Sequence, residues 1–241
     1  MSQTHTVLQQ RLAELCRAHG LLDKEVTVRA RVLATEEAIG HPEDDDFPLQ
    51  KGRERLMQAE VEGARGQAFT DQFGDFAGRL RDVVAMDLPN NYRRAVFVAA
   101  LNAVASRLGI ASGTVHCRDQ EPGICAARVA EHIRALYGRV RLAQIGFQPR
   151  LVERLQREHE YRILDMDPDH IGTRKGGVIV EGPEAAADAV RWADLLLVTG
   201  TTLVNDTIDH YVGNSSVLFY GTTIAGAASL MGWDRVCPCS H

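Results

Sequence analysis

Apolar residues recur with two different periods along this chain, and the grammar changes near residue 138. Val7, Leu8, Leu12, Leu15 and Cys16 share one helical stripe, and Gly20 follows as a stop signal. Val26, Val28, Ala30 and Val32 then alternate with Thr27, Arg29, Arg31 and Leu33, the pattern of a half-buried strand. GHPEDDDFP at 40–48 predicts a loop, a second strand covers about Arg55 to Val61, and Gly63 and Gly66 punctuate the residues beyond it. Helices are predicted near Phe76 to Met86 and over the strongly apolar stretch from Tyr92 to Leu108. Two strands followed by two helices, without alternation, predict an α+β unit over residues 1–137.

Residues 138–241 alternate. Arg141–Ile145 predicts a strand, Pro149 to Glu158 a helix, and Tyr161–Leu164 and Val178–Val180 two further strands. Pro183 to Ala193 predicts a helix, Leu195–Val198 a strand, Asn205 to Val212 a helix and Val217–Tyr220 a strand. Such alternation implies right-handed crossovers and a mostly parallel sheet, an α/β domain of Rossmann-like type. The fold class expected for the whole chain is therefore α/β, with an α+β unit at the amino end.

Composition narrows the field. The chain has 241 residues, 45% hydrophobic and 24% charged, which excludes a mainly disordered chain, a fibre or a coiled coil. Lys and Arg number 27 against 32 Asp and Glu, so the net charge of −5 argues against a nucleic-acid partner. The most apolar run, Ala95 to Ala105, is too short to span a bilayer, and the first 20 residues lack a basic leader with an apolar block. The expectation is a cytoplasmic protein whose five cysteines are thiols.

Parallel sheets bind ligands beyond the carboxyl ends of their strands. Those ends are Gly146, Asp165, Thr199-Gly200-Thr201-Thr202 and Gly221-Thr222-Thr223. The TGTT turn is a candidate cradle for a small anionic ligand, a carboxylate or phosphate, or else simply a Thr-capped helix start. No GxGxxG or Walker A sequence supports nicotinamide or ATP chemistry.

Sulfur forms a second constellation. Cys237-Pro238-Cys239-Ser240-His241 places two thiols and an imidazole at alternate positions of an extended segment, all able to face one side. Cys117 and Cys125 lie in HCRDQEPGIC with His116 and Glu121 nearby. Thiolates select soft transition metals, so His116, Cys117, Cys125, Cys237, Cys239 and His241 are candidate ligands. The alternatives are a Cys125 that is a small apolar residue on a helix and a frayed tail. Cys16 falls on the apolar stripe and belongs to the core. Asp44–Asp46 could bind a hard cation but read as a solvated acidic run, and Asn102 either reaches a ligand or bonds within the core.

DLLLVTGTTLVNDTID (194–209) and LFYGTTIAGAASLMG (218–232), preceded by IGFQP and ILDMD, resemble the putative heavy-metal chelation family. KGRERLMQAEVEGARGQAFTD (51–71), AALNAVASRLG (99–109) and HCRDQEP are similar to its companion amino-terminal region. The resemblance implies an enolase amino-terminal-like domain, a Rossmann-like domain and a site in the cleft between them. It implies ligand-binding roles for Thr70, Asp71, Asn102, Gly146, Asp165, Thr199, Gly200, Thr201, Asn205 and Gly221.

The expected function is binding of a transition metal or small metal chelate in metal or metallo-cofactor metabolism. One alternative is an enzyme for a small anionic metabolite, with Asp165 or Asp71 moving a proton. Another is a non-catalytic cofactor-assembly partner. A homo-oligomer is the base expectation for soluble assemblies.

Overall fold

The computed structural model describes residues 2–29, 54–214 and 216–241. The end of the predicted first strand, the 40–48 loop and Asp44–Asp46 lie outside them. The order is α1 (Gln3–Ala18), β1 (Glu25–Arg29), β2 (Arg55–Val61), β3 (Ala64–Thr70), β4 (Phe76–Arg79), α2 (Leu80–Val84), α3 (Asn91–Arg107) and α4 (Glu121–Tyr137). Then come β5 (Arg141–Ile145), α5 (Pro149–Leu155), β6 (Glu160–Leu164), β7 (Arg174–Lys175), β8 (Val178–Glu181) and α6 (Ala186–Trp192). The chain continues through β9 (Leu195–Thr199), α7 (Thr201–Val204), β10 (Val217–Tyr220), α8 (Ala225–Met231) and β11 (Arg235–Val236).

Two sheets result. The first is antiparallel, in the order β3-β2-β1-β4. The second runs β11-β10-β9-β5-β6-β8-β7 and is parallel except for the β7–β8 pair at its edge. The α/β class and the mostly parallel sheet agree with the sequence reading.

Several elements differ from it. Gly63 does not end the strand region. Glu62 and Gly63, both at positive φ, make a tight turn into β3, which pairs with β2 from Arg55–Thr70 to Val61–Ala64. Gly66 sits inside that strand because α3 crosses directly over it. A Cβ there would strike the backbone at Ala103 N, Ala99 O and Asn102 C. Phe76–Arg79 is a strand against β1, not the first turn of a helix. The predicted 205–212 helix breaks into α7, starting at Thr201, and a single 3₁₀ turn at Ile208–His210. Asp206 between them has φ 61°. The sequence reading did not place α4, β7, α8 or β11.

Helix α3 organises the core. All twelve residues from Arg94 to Ala105 are buried, so the helix is enclosed on every side rather than amphipathic. It packs on β2 and β3 of one sheet and on α7 and α8 of the other half. One apolar cluster accordingly includes Met57, Phe97 and Val104 together with Val198, Leu203 and Phe219. Arg94, 8% exposed, satisfies its guanidinium on the Val204 and Leu88 carbonyls and on Asn91 Oδ1.

Asn102 is the polar centre of this contact. Its Nδ2 donates to the carbonyls of Gln67 (2.8 Å), Thr222 (3.2 Å) and Thr223 (3.1 Å), and its Oδ1 accepts the Gly226 N–H at 2.7 Å. The residue is fully buried and its amide is spent inside the protein, so it does not reach a ligand. Of the two sequence alternatives, the structure shows the internal bonding and no access to the cleft.

Asn102→Ala is expected to lower unfolding stability by about 3 kcal/mol, because several buried groups lose partners at once. Asn102→Asp should cost at least as much, since it aims an acceptor at three carbonyls. Urea unfolding monitored by circular dichroism checks both, and wild-type midpoints would contradict the assignment.

Candidate functional site

The carboxyl ends of β5, β6, β9 and β10 open into a cleft of about 700 Å³. Strand ends supply Gly146, Asp165, Thr199-Gly200 and Gly221. The opposite wall comes from Glu54, Phe69, Thr70 and Asp71 around β2 and β3, from His116 and Cys117, and from Pro122 and Cys125 in the first turns of α4. Gly146, at φ 91°, lets the chain turn off β5 against the Thr199 side chain, where a Cβ would collide.

Asp165 is fixed by its own loop. Oδ2 accepts the Phe147 N–H at 2.6 Å and Oδ1 accepts the Asp167 N–H at 2.7 Å. His170, 4% exposed and tilted against Phe147, holds Nδ1 3.7 Å from Asp165 Oδ2. Across the cleft, Asp71 accepts from Asn91 Nδ2 at 2.6 Å, and the same nitrogen reaches Asn205 Oδ1 at 3.3 Å. Asn205 Nδ2 lies 3.8 Å from the Met166 sulfur.

The Thr199–Thr202 turn is largely self-satisfied. Thr202 Oγ1 donates to Thr199 O at 2.7 Å, and Thr199 and Thr201 hydroxyls lie 3.2 Å apart. Thr70 Oγ1 is likewise engaged with the backbone of Gln72. The helix that follows Gly200 has only four residues, too short for an anion-binding terminus.

Electrostatics point the other way. Glu54, Asp71, Asp165, Asp167 and Glu184 line the cleft, with no Lys or Arg among the described lining residues. Burial, with repulsion from Asp165, Asp71 and Asp167, raises the Glu54 carboxyl to about 7. A recess with this lining favours cations.

Sulfur gathers at another part of the cleft. After β11 the chain is held by Arg235, whose guanidinium donates to the carbonyls of Gly221 (2.8 Å), Gly113 (2.8 Å) and Ser112 (3.2 Å). Arg235 also reaches Ser240 Oγ, which donates to Cys237 O at 2.7 Å. Val115 and His241 exchange backbone hydrogen bonds at 2.8 and 2.9 Å. The tail is therefore pinned, and Cys237 forms part of the cleft wall.

There its thiol meets Cys125. The hydrogen bond from Cys125 pulls Cys237 down towards the thiolate, helped by Arg235, Ser240 and the Gly221 N–H. The same contact, together with burial, pushes Cys125 up. Cys117 lies within electrostatic reach of the pair, and its thiol is raised chiefly by burial. His116 also faces the cleft. Burial lowers its imidazole to about 4, and its Nδ1 has no hydrogen-bond partner.

Of the six candidate metal ligands, the structure puts Cys125, Cys237, Cys117 and His116 on the same cleft, with Cys125 and Cys237 near enough to interact. His241 pairs instead with Glu121 at 3.1 Å, and neither it nor the buried Cys239 lines the cleft. Among the described residues, no three His, Cys, Asp or Glu side chains form a ready-made metal-binding group. The ligand-binding candidates Thr70, Asp71, Gly146, Asp165, Thr199, Gly200, Thr201, Asn205 and Gly221 all line the cleft, and Asn102 does not.

Sequence reasoning missed Glu54, Asn91, His170 and Tyr220. Asp167, three residues from His170, was the available cue for that corner. Glu54 offered none, because its role depends on the residue just before β2 lying near Asp165 and Asp71 in the fold.

Residues 129–226 match the family model described as "Putative heavy-metal chelation", DUF364, the family that the sequence motifs resemble. The resemblance therefore holds over that stretch. A DUF364-family protein of unknown function from Pyrococcus horikoshii has a similar fold. Its TM-score is 0.54 at 15% identity, over 90% of this chain and 78% of that one. A second DUF364-family protein of unknown function, from Desulfitobacterium hafniense, gives a TM-score of 0.50 at 15% identity, over 73% and 72% of the two chains. No curated protein matches. Among the described residues, no helix is long and apolar enough to cross a membrane.

Glu54 generates a pH prediction. Its carboxyl titrates near 7 in the fold against an ordinary 4.5, so the folded state loses stability as pH rises between those values and levels off above. Glu54→Gln should therefore raise unfolding free energy at pH 8 by roughly 1–2 kcal/mol, allowing for partial exposure, and change it little at pH 4. Equal effects at both pH values would contradict the crowding.

Proposed function

We propose that this protein binds a soft transition-metal ion, or a small cationic metal chelate, in the cleft. The observation that carries the reading is the Cys125–Cys237 thiol pair on the wall of a recess whose described lining has five carboxylates and no Lys or Arg. The family description points the same way.

On this reading Cys125 and Cys237 are the protein's two soft donors, with Cys117 or His116 able to join after a small shift. Water, or groups the metal carries with it, completes the coordination. Asp71, Asp165 and Glu54 neutralise the positive charge of the bound species. A pair of protein donors suits a chelate better than a bare ion, because a chelate arrives with most of its coordination filled.

The same reading extends to the architecture. Residues 1–137 act as an enolase amino-terminal-like domain and 138–241 as a Rossmann-like domain. The cleft lies between them, and the protein works in the cytoplasm, where its thiols stay reduced. An anionic metabolite is the less favoured occupant, because the described lining offers it carboxylates and no basic side chain.

Metal uptake under reducing, anaerobic conditions tests this. One Zn(II) or Co(II) per chain is expected, with thiolate-to-cobalt charge-transfer absorption for Co(II). Binding should weaken as pH falls, because the thiols must lose protons to ligate. Cys237→Ser and Cys125→Ser should each reduce affinity by more than about tenfold, since even groups behind the ligands are worth that much. No uptake by the reduced wild-type chain, or uptake unchanged in both variants, would overturn the reading.

A further inference from the structure

The geometry around the sulfur pair supports more than ligation. Cys125 and Cys237 are 112 positions apart in sequence, yet they share one wall of the cleft and interact there, because a core holds both backbones. Cys125 lies on α4, whose Ala126, Val129 and Ala130 pack in one apolar cluster with Tyr220 and Val236. Cys237 directly follows Val236 and is held from behind by the Arg235 bonds to Gly221, Gly113 and Ser112. Their approach is thus set by packed elements, not by a loose tail.

The other thiols are placed differently. Cys16 is fully buried on α1, Cys239 is buried away from the cleft, and Cys117 is 6% exposed. Cys125 and Cys237 are the two that are only partly buried, and both line a recess of about 700 Å³, large enough for a small molecule. Charge then selects among small molecules. The carboxylates that line the same recess repel an anionic disulfide and attract an amine-bearing one.

We propose that Cys125 and Cys237 are a reversible dithiol/disulfide couple, oxidised by exchange with a small, positively charged disulfide and closed to metal in the oxidised form. The chemistry balances. Cys237 Sγ, its proton released to solvent, attacks one sulfur of the disulfide and expels one small thiolate. The mixed disulfide is then attacked by Cys125 Sγ, which also gives up its proton, and the second small thiolate leaves from Cys237. The protein loses two hydrogens, and the disulfide is reduced to two thiols. The closure to metal rests on the metal-binding reading above; the disulfide itself does not.

The test uses the full reduced chain, cystamine as the cationic disulfide and oxidised glutathione as the anionic one. After quenching with an alkylating agent, cystamine-treated protein should show a loss of two hydrogens by intact mass. Peptide mapping should find one Cys125–Cys237 link, with Cys16, Cys117 and Cys239 alkylated. Cys125→Ser should stop at a single cysteamine adduct on Cys237. Cystamine should react at least tenfold faster than oxidised glutathione at low salt, with the ratio falling as salt rises.

A Cys237–Cys239 link, a link through Cys117, a persistent adduct in the wild type or five alkylated thiols would overturn the couple. Equal rates for the two disulfides, independent of salt, would overturn the charge selection. Zn(II) uptake is measured separately on reduced and oxidised protein. Uptake by the reduced form alone is the expected result, and equal uptake by both forms would overturn the closure. If the link forms but reduced protein takes no Zn(II), the metal reading falls and the couple stands. If reduced protein takes Zn(II) but no link forms, the couple falls and the metal reading stands.

Discussion

The Asn102 amide holds the two sheets in register. One side chain, buried in the middle of α3, answers carbonyls on β3 and at the Thr222–Thr223 turn and an N–H group in the first turn of α8. Buried polar groups must be paired, so this junction tolerates only one relative placement of the elements that meet there. Gly66 and Gly226 allow the approach, since a Cβ at either would press on α3. The cleft depends on that placement. Phe69 and Thr70 follow Gln67 on β3, Gly221 and Thr223 flank the Thr222 carbonyl, and all four line the recess. A shift of α3 would separate the walls that put Asp71 opposite Asp165.

Much of the carboxy-terminal architecture was legible because short apolar runs ending in Gly, Asp or Thr are strong signals for parallel strands. The strand ends named from sequence are the cleft edge. What failed failed locally. Gly66 looked like a break, yet it marks a strand crossed by a helix, a fact about packing that no window of residues contains. Phe76–Arg79 took the helix assignment from its neighbours, whereas pairing with β1 decided it. Asn205–Val212 carries helical composition, but the left-handed backbone at Asp206 cuts it.

The site was legible by halves. Thiols were visible as a composition, and the tail spacing suggested that Cys237, Cys239 and His241 would face together. The structure divides them instead. Cys237 turns to Cys125, Cys239 is buried, and His241 pairs with Glu121. Long-range partners such as Arg235 with Gly221 and Gly113 determine that division. The acidity of the cleft was equally hidden, because Glu54, Asp71 and Asp165 flank three separate strands and come together only in the fold.

The clasp around Cys237 also has a consequence for biosynthesis. Domains acquire structure as the chain emerges, amino end first. Strand β11, the Arg235 contacts and the pairing of Val115 with His241 all wait for residues beyond 234. Until those have left the ribosome, α4 displays Cys125 without its sulfur partner, and the recess has one wall missing. A nascent chain therefore carries the carboxylates of the recess but lacks the thiol pair until residue 237 itself has emerged.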